Sequence, residues 1–459
     1  MFLDSNIKQV KSIRIITFFI GLFFLPLILK AQDSLSLADC IKVALDQNIS
    51  IKKTLLSQEQ SRLNLNTQKA AFLPSLNGQA SRGYTFGNSL DYTSYQYFRE
   101  QTTSDFYGVS SDLTLFNSFK QWNNLKSGQF SYKSSQELSK ETSDQISLNV
   151  AAQYLQILLN IEQLKNAEDQ LLYTQNLLER TKLLVEVGNQ NKTKELELQA
   201  QSATDEMSLV EAQNQLAQSY LTLKQTLNWD LTKPLKVQRI SVNPVQFASY
   251  QNLKVEDFIE QSIQNLPAVK KANFNYESSK YNYKSVISSR YPSITLQGSM
   301  NSRYSSVAQD LVTHDKVPYK DQLNNNFGQG VTLSLNIPIF NNFRTSYNIQ
   351  SAKINYDISR LSLKEAELTA RNSIYEAWFL MNNAYQKYVA AEKSQKSQQL
   401  LFDQTKMMYD EGLINFYDWQ QVITNYNKAQ NAYLGAKYEY TYRVKIFDYY
   451  RGIPINIDK

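Results

Sequence analysis

The chain has 459 residues, a formal net charge of +6, one cysteine and one histidine. So mild a basic balance gives no footing for nucleic-acid binding, the lone Cys40 excludes an intrachain disulfide, and the lone His314 reads as a solvated loop residue because a metal site needs several ligands. Past the N-terminus no run of about 18 apolar residues occurs, which excludes a transmembrane helix and leaves a β-barrel as the way to span a bilayer.

Residues 1–31 have the layout of a secretory signal peptide: basic Lys8, Lys11 and Arg14, an apolar core from Ile15 to Leu29, and Ala31 as the cleavage residue. An N-terminal membrane anchor is the alternative, disfavoured by the short core and its flanks. Removing the segment takes away Lys8, Lys11, Arg14 and Lys30 against Asp4, so the net charge falls to +3. Leu37-Ala38 suits lipid modification of Cys40 but Asp39 does not, and Cys40 fits better as a small apolar residue on a helix.

Leu37, Ile41 and Leu45 predict a short amphipathic helix, followed after Gln47-Asn48 by a polar helix to Phe72. Pro74 ends it, since proline lacks an amide hydrogen and biases the residue before it to extended geometry. Leu76, Gly78, Ala80 and Tyr84 then alternate with Asn77, Gln79, Ser81 and Thr85, the period of a strand. Residues 87–103 read as a loop, and a second strand sets Tyr107, Val109, Leu113 and Leu115 against Gly108, Ser110, Asp112 and Thr114. From 120 to about 187 the helical period holds without a proline, and about 65 residues of helix span roughly 100 Å. Val150, Ile157, Leu164, Leu171, Leu178 and Val185 recur every seven residues, a coiled-coil seam. Its partner line, Tyr154, Ile161, Glu168, Gln175 and Lys182, turns polar along its length. Gly188-Asn189 break the helix, and residues 192–227 return antiparallel, with Leu209, Leu216 and Leu223 at sevens. Residues 229–252, with Pro234 and Pro244, read as a linker.

The plan then restarts. Pro292 stands 218 residues after Pro74, and Val255-Glu256-Asp257-Phe258-Ile259 echoes Leu37-Ala38-Asp39-Cys40-Ile41 at the same offset. A third strand follows Pro292, with Ile294, Leu296, Gly298 and Met300 on one face, and a fourth carries Val331, Leu333, Leu335 and Ile337. Phe340-Asn341-Asn342-Phe343-Arg344 matches Phe116-Asn117-Ser118-Phe119-Lys120. A second long helix reaches Glu411, Gly412 breaks it, and residues 416–450 return with Tyr426, Tyr433, Tyr440 and Phe447 at sevens, a seam that reads as core. The expected organisation is a signal peptide (1–31), a first repeat (32–228), a linker (229–252), a second repeat (253–452) and a tail (453–459).

The expected fold class is mainly α with a membrane β part: long antiparallel coiled-coil helices plus four strands per protomer. Strands of about ten residues with one apolar face suit an outer-membrane wall. Four strands cannot close a barrel, and open edges in lipid would strand backbone groups at several kcal/mol each, so three copies would supply twelve strands. A soluble sandwich is the alternative, but it has no use for helices of about 100 Å. Arg82 shares the lipid-facing register with Leu76 and Ala80; roughly 19 Å along a tilted strand it would reach the far rim of the apolar band, where an arginine can snorkel.

The paired helix–Pro-Ser–strand units, Pro338-Ile339-Phe340-Asn341-Asn342-Phe343-Arg344 after a strand, and Tyr409-Asp410-Glu411-Gly412-Leu413 between long helices together resemble the outer-membrane efflux family, the TolC-type channels, over about residues 34–452. The resemblance implies a homotrimer with a twelve-stranded barrel in outer-membrane lipid and a twelve-helix tunnel in the periplasm. It implies an exit duct for a tripartite efflux or type I secretion system, working without cofactors beside a periplasmic adaptor (membrane fusion) protein and an inner-membrane RND or ABC pump. It also implies a passive conduit gated at its periplasmic tips, which fall here on Gly188 to Glu195 and Gly412 to Gln421. Family positions that are often acidic, one and two turns after the second glycine, correspond to Asp418 and Gln421, of which Gln421 departs from the pattern; the tip tyrosine falls on Tyr409.

The residues themselves offer plainer roles beside these. Asn415 and Asp418 fit a capping box, and Tyr409 and Met407-Met408 fit packing. An enzyme is not expected: a Ser-His-Asp or Cys-His arrangement would need His314 or Cys40, neither in a recognisable motif, and no phosphate-binding glycine motif appears. A soluble periplasmic coiled-coil adaptor or chaperone is the rival function.

Overall fold

The structure, a computed structural model, describes residues 34–90, 95, 97–99, 101–239, 250, 254–310, 312–313 and 315–453. The signal peptide at 1–31, Pro244, His314 and most of the tail lie outside them. Two short helices open the described chain, α1 (Leu37–Gln47) and α2 (Ile49–Ala70). A capping box starts α1: Ser36 Oγ accepts from the Asp39 amide at 3.1 Å while the Asp39 carboxylate accepts from the Ser36 amide at 3.1 Å. Cys40 lies fully buried on its inner face, and burial pushes the thiol up to about 12.

The strands are β1 (Asn77–Thr85), a small hairpin of β2 (Asn88–Leu90) and β3 (Tyr97–Arg99), and β4 (Thr102–Phe116). Then come the hairpin α3 (Lys120–Glu186) and α4 (Lys192–Leu227), short helix α5 (Ile259–Asn265), α6 (Pro267–Ser288) and β5 (Ser293–Ser305). Short helix α7 (Tyr319–Asn325), β6 (Gly328–Asn336) and a second hairpin of α8 (Arg344–Asp410) and α9 (Phe416–Tyr450) complete the chain. Both long helices contain 67 residues, about 100 Å each.

One antiparallel sheet has the order β1-β4-β5-β6. Its register puts Val109 beside Met300, Leu113 beside Leu296, and Leu296 beside Leu333, so one face is apolar across adjoining strands. All four strands join the long helical part at the same end: α2 enters β1, β4 enters α3, α6 enters β5 and β6 enters α8. The two strand-to-helix turns are matched, with consecutive left-handed residues Ser118 and Phe119 in one and Asn342 and Phe343 in the other. Each is closed by an edge-to-face phenylalanine pair, Phe116–Phe119 at 6.0 Å and Phe340–Phe343 at 5.4 Å.

Three features differ from the sequence expectation. First, β4 begins at Thr102, inside the stretch expected to be loop, and β5 runs on to Ser305. The extension is secured where Arg82 meets Asp105 directly across β1 and β4 in two parallel bonds of 2.7 Å. Arg82 is therefore a paired ion rather than a lone snorkelling cation, and Tyr319 on α7 adds a bond to the same carboxylate at 3.3 Å. Second, the polar partner line on α3 runs through buried Thr174 and Thr181, not Gln175 and Lys182. Thr174 and Thr181 follow the seam residues Leu171 and Leu178 by three, the a-to-d step of a heptad, so they share the seam's groove while Gln175 turns to solvent. Thr174 Oγ1 donates to buried Asp205 on α4 at 2.5 Å, so a polar interlock fills this layer. Third, the start of the expected linker packs into the core: Leu235 and Val237 are buried beside Leu37, Val150 and Tyr154, and Leu35 and Val237 form a parallel bridge.

Near this level a cleft of about 720 Å³ exposes one side of Asp144. Burial raises its carboxyl above the usual range, Lys140 opposes the shift, Glu137 reinforces it, and burial together with Asp144 raises Tyr449 in turn. The folded chain thus holds the Asp144 proton more tightly than the unfolded chain does, so ionisation costs stability as pH rises through and above the carboxylate range. Asp144→Asn is expected to raise the melting temperature at pH 7 and to make no difference below about pH 3, checked by thermal unfolding across that range.

Candidate gate at the helix tips

Each long hairpin turns through a glycine in the left-handed region, Gly188 and Gly412, both with φ +77°. The following amides fold back, Asn189 onto the Leu184 carbonyl at 2.8 Å and Leu413 onto the Met408 carbonyl at 2.9 Å, the glycine-dependent way of ending a helix. The return helices restart on asparagine caps. Asn191 accepts from the Thr193 amide at 3.1 Å, and Asn415 Oδ1 accepts from the Asp418 backbone amide at 2.9 Å while its side-chain Nδ2 donates to the Asp418 carboxylate at 2.8 Å, so the expected capping box is replaced by a side-chain contact.

The tips are held together by an aromatic cluster. Trp419 is fully buried, stacks on Tyr409 at 5.8 Å, lies 5.1 Å from Phe402, and donates its indole N–H to the Tyr173 hydroxyl at 3.1 Å. Burial pushes Tyr173 up to about 12 and raises Tyr409 as well. Leu178 of α3 and Leu198 of α4 close the cluster from the other hairpin. Lys194 of α4 reaches across with its ammonium 4.0 Å from the Phe416 ring centroid and 5.4 Å from that of Tyr409. Arg180 meets Asp410 at 3.4 Å between the outgoing helices.

This geometry brings Tyr409, Gly412, Asp418 and Gln421 to one tip, and Gly188 and Glu195 to the other. Tyr409 packs inward, whereas Asp418 and Gln421 are exposed. Glu195 is neutralised by Lys192 at 2.6 Å. Pro74 and Pro292 are at the opposite end: Pro292 directly precedes β5 and its carbonyl accepts from Ser118 Oγ at 3.0 Å, while Ser75 beside Pro74 bonds the Asp112 carbonyl at 2.9 Å. Trp419 precedes Tyr426 by seven residues and extends that seam to the tip, the sequence signal that marks it. Lys194 and Arg180 carry no sequence signal, because their partners lie more than two hundred residues away.

The protomer is unfinished along two borders. Among the described residues, strands β1 and β6 each pair on one side only. The helices beside them, α2 and α8, carry exposed apolar stripes at sevens: Ile49, Leu56 and Leu63 on α2, and Ile354, Leu361 and Leu368 on α8.

A family model described as outer membrane efflux protein matches residues 40–228 and 258–445. The chain belongs to this outer membrane efflux protein family. The family is a class of passive channels rather than of enzymes, and its members oligomerise and work with adaptor and pump components. This efflux protein is 23% identical over 220 residues to toxin and drug export protein A of Aggregatibacter actinomycetemcomitans, a match covering 47% of this chain and 44% of that one. The aligned region thus spans less than half of that relative. Its fold is that of solved outer-membrane channels: CusC superposes with a TM-score of 0.77 at 18% identity, over 91% of this chain and 92% of that one. The Campylobacter jejuni CmeC outer membrane channel gives 0.74 at 15% identity, over 92% and 87%. In this architecture the sheet belongs to the barrel in the outer membrane and the helices to the periplasmic tunnel.

Proposed function

We propose that the chain is one third of a trimeric outer-membrane duct. It passively conducts solute handed on by an inner-membrane RND or ABC pump through a periplasmic adaptor, and it is closed at rest by its helix tips. The observation that carries this reading is the pair of unfinished borders. An open strand edge cannot persist in lipid, and an apolar stripe at sevens calls for a facing helix. Joining β6 of one copy to β1 of the next, and α8 to α2, meets both demands with one rotation, and three copies give twelve strands. Residues 1–31 act as the export signal on this reading, and 32–228 and 253–452 as two repeats joined by 229–252. The duct performs no catalysis. SDS-resistant trimers in the outer-membrane fraction are the expected result; a freely soluble periplasmic monomer would rule the duct out in favour of a coiled-coil adaptor or chaperone.

At the tips, Asp418 is both cap and gate: Asn415 orients its carboxylate, and three copies narrow the closed pore with negative charge. Gln421, one turn on, adds no charge. Asp418→Ala is expected to raise single-channel conductance severalfold in planar bilayers, at a cost of about 0.3–1 kcal/mol for losing a carboxylate from the first helical turn, since Asn415 still caps the backbone amide of residue 418. Unchanged conductance and selectivity would leave the cap as its only role.

A further inference from the structure

We propose that Asp112 and Arg303 form two oppositely charged collars inside the barrel that sort charged solutes; this rests on the trimeric barrel proposed above. The polar face of the sheet is made of Ser, Thr, Asn, Gln and Gly, with one aromatic residue, Phe106, and two charges, Asp112 and Arg303. Both charged residues are exposed, and among the described residues neither side chain has a hydrogen-bond or ion-pair partner. The apolar face treats its charges differently, with Arg82 and Asp105 locked to one another. Charge is neutralised where lipid lies and left free where water lies, as the cost of desolvation requires.

Their placement is axial. Asp112 stands opposite Gln297 towards the helical end of the sheet, and Arg303 stands opposite Phe106 near the outer end. Gln297 and Arg303 are six residues apart on β5, so the collars lie about 20 Å apart along the strand. Three copies of each give a negative collar where the tunnel meets the barrel and a positive collar at the mouth. Cations concentrate at the first and anions at the second, while the hydroxyl and amide wall between them favours neither. Twelve tilted strands close a wall roughly 25 Å across. Screening over about 8 Å at physiological ionic strength confines each collar's influence to solutes near the wall, and about 30 Å at 0.01 M extends it across the bore.

The test reads local potential and does not depend on the tip gate. In a Cys40→Ala background, single cysteines are placed at Ser110 beside Asp112, at Asn301 beside Arg303, and at Met300 on the apolar face. Full-length protein in liposomes is treated from the barrel side with cationic and anionic methanethiosulfonates of equal size. At about 0.01 M salt, Ser110→Cys is expected to favour the cationic reagent about fivefold over a free thiol, and Asn301→Cys the anionic reagent by a similar factor. Asp112→Asn and Arg303→Gln should each abolish the matching preference, and 1 M salt should abolish both. Charge-indifferent labelling of Ser110→Cys and Asn301→Cys with Met300→Cys protected would overturn the collars alone. Equal labelling of Met300→Cys and Asn301→Cys would instead overturn the barrel on which they rest.

Discussion

Leu361→Asp is expected to abolish trimer assembly while leaving the protomer folded. Leu361 sits in the middle of the exposed stripe on α8, 63% exposed in the protomer, and makes no contribution to the core on the opposite face of the helix, where Ala370 and Ile374 are buried. In the proposed trimer it packs on Leu56 and Leu63 of the next copy. Burying one leucine contributes about 1.5–3 kcal/mol, and the ring repeats the contact three times, so roughly 5–9 kcal/mol of assembly energy is at stake before the desolvation of three carboxylates is added. Size-exclusion chromatography with light scattering should find monomers of unchanged helicity. Glu367→Lys, exposed and about 120° round the helix from Leu361, should assemble normally; a trimeric Leu361→Asp protein would mean that α8 does not face a neighbour there.

Trp419→Ala is expected to loosen the tips without dissolving the tunnel. Trp419 joins the two hairpins through Tyr409, Phe402 and Tyr173, and truncating a buried tryptophan costs about 3–5 kcal/mol. That energy falls on the last turns of the helices, far from the buried layers around Tyr154 and Tyr440, so the loss is local. Hydrogen exchange at residues 186–195 and 410–421 should accelerate about a hundredfold or more, at 1.4 kcal/mol per decade. Conductance should rise with it. Lys194→Ala removes only the cation–π contact and should raise exchange severalfold at most, since such contacts contribute about 0.5–2 kcal/mol. Global unfolding of Trp419→Ala, or a tip that stays protected, would remove the cluster from the gate.

Repetition made much of this architecture legible. Pro74 and Pro292 mark the helix-to-strand boundaries because a missing amide hydrogen acts locally, whatever the rest of the chain does. Gly188 and Gly412 mark the hairpin turns because a positive φ is likewise a local demand. Alternation assigned the sheet faces correctly, since a strand's period of two does not depend on its partners. Expectations slipped where partners decide the outcome. Thr102 to Phe106 belong to a strand because Asp105 finds Arg82, and Thr174 is buried in place of Gln175 because it finds Asp205 across the hairpin.

At the candidate gate the division is sharper. The sequence by itself determined that Asn415 caps α9 above Asp418, since a cap spans three residues of one chain segment. Only the tertiary structure brought Lys194 over Phe416 and Arg180 to Asp410, and set free Asp112 and Arg303 apart from the locked Arg82–Asp105 pair. Local stereochemistry is written in neighbouring residues. Contacts between distant ones depend on helix phase and strand register accumulated over tens of residues, where an error of one position turns a side chain to another face.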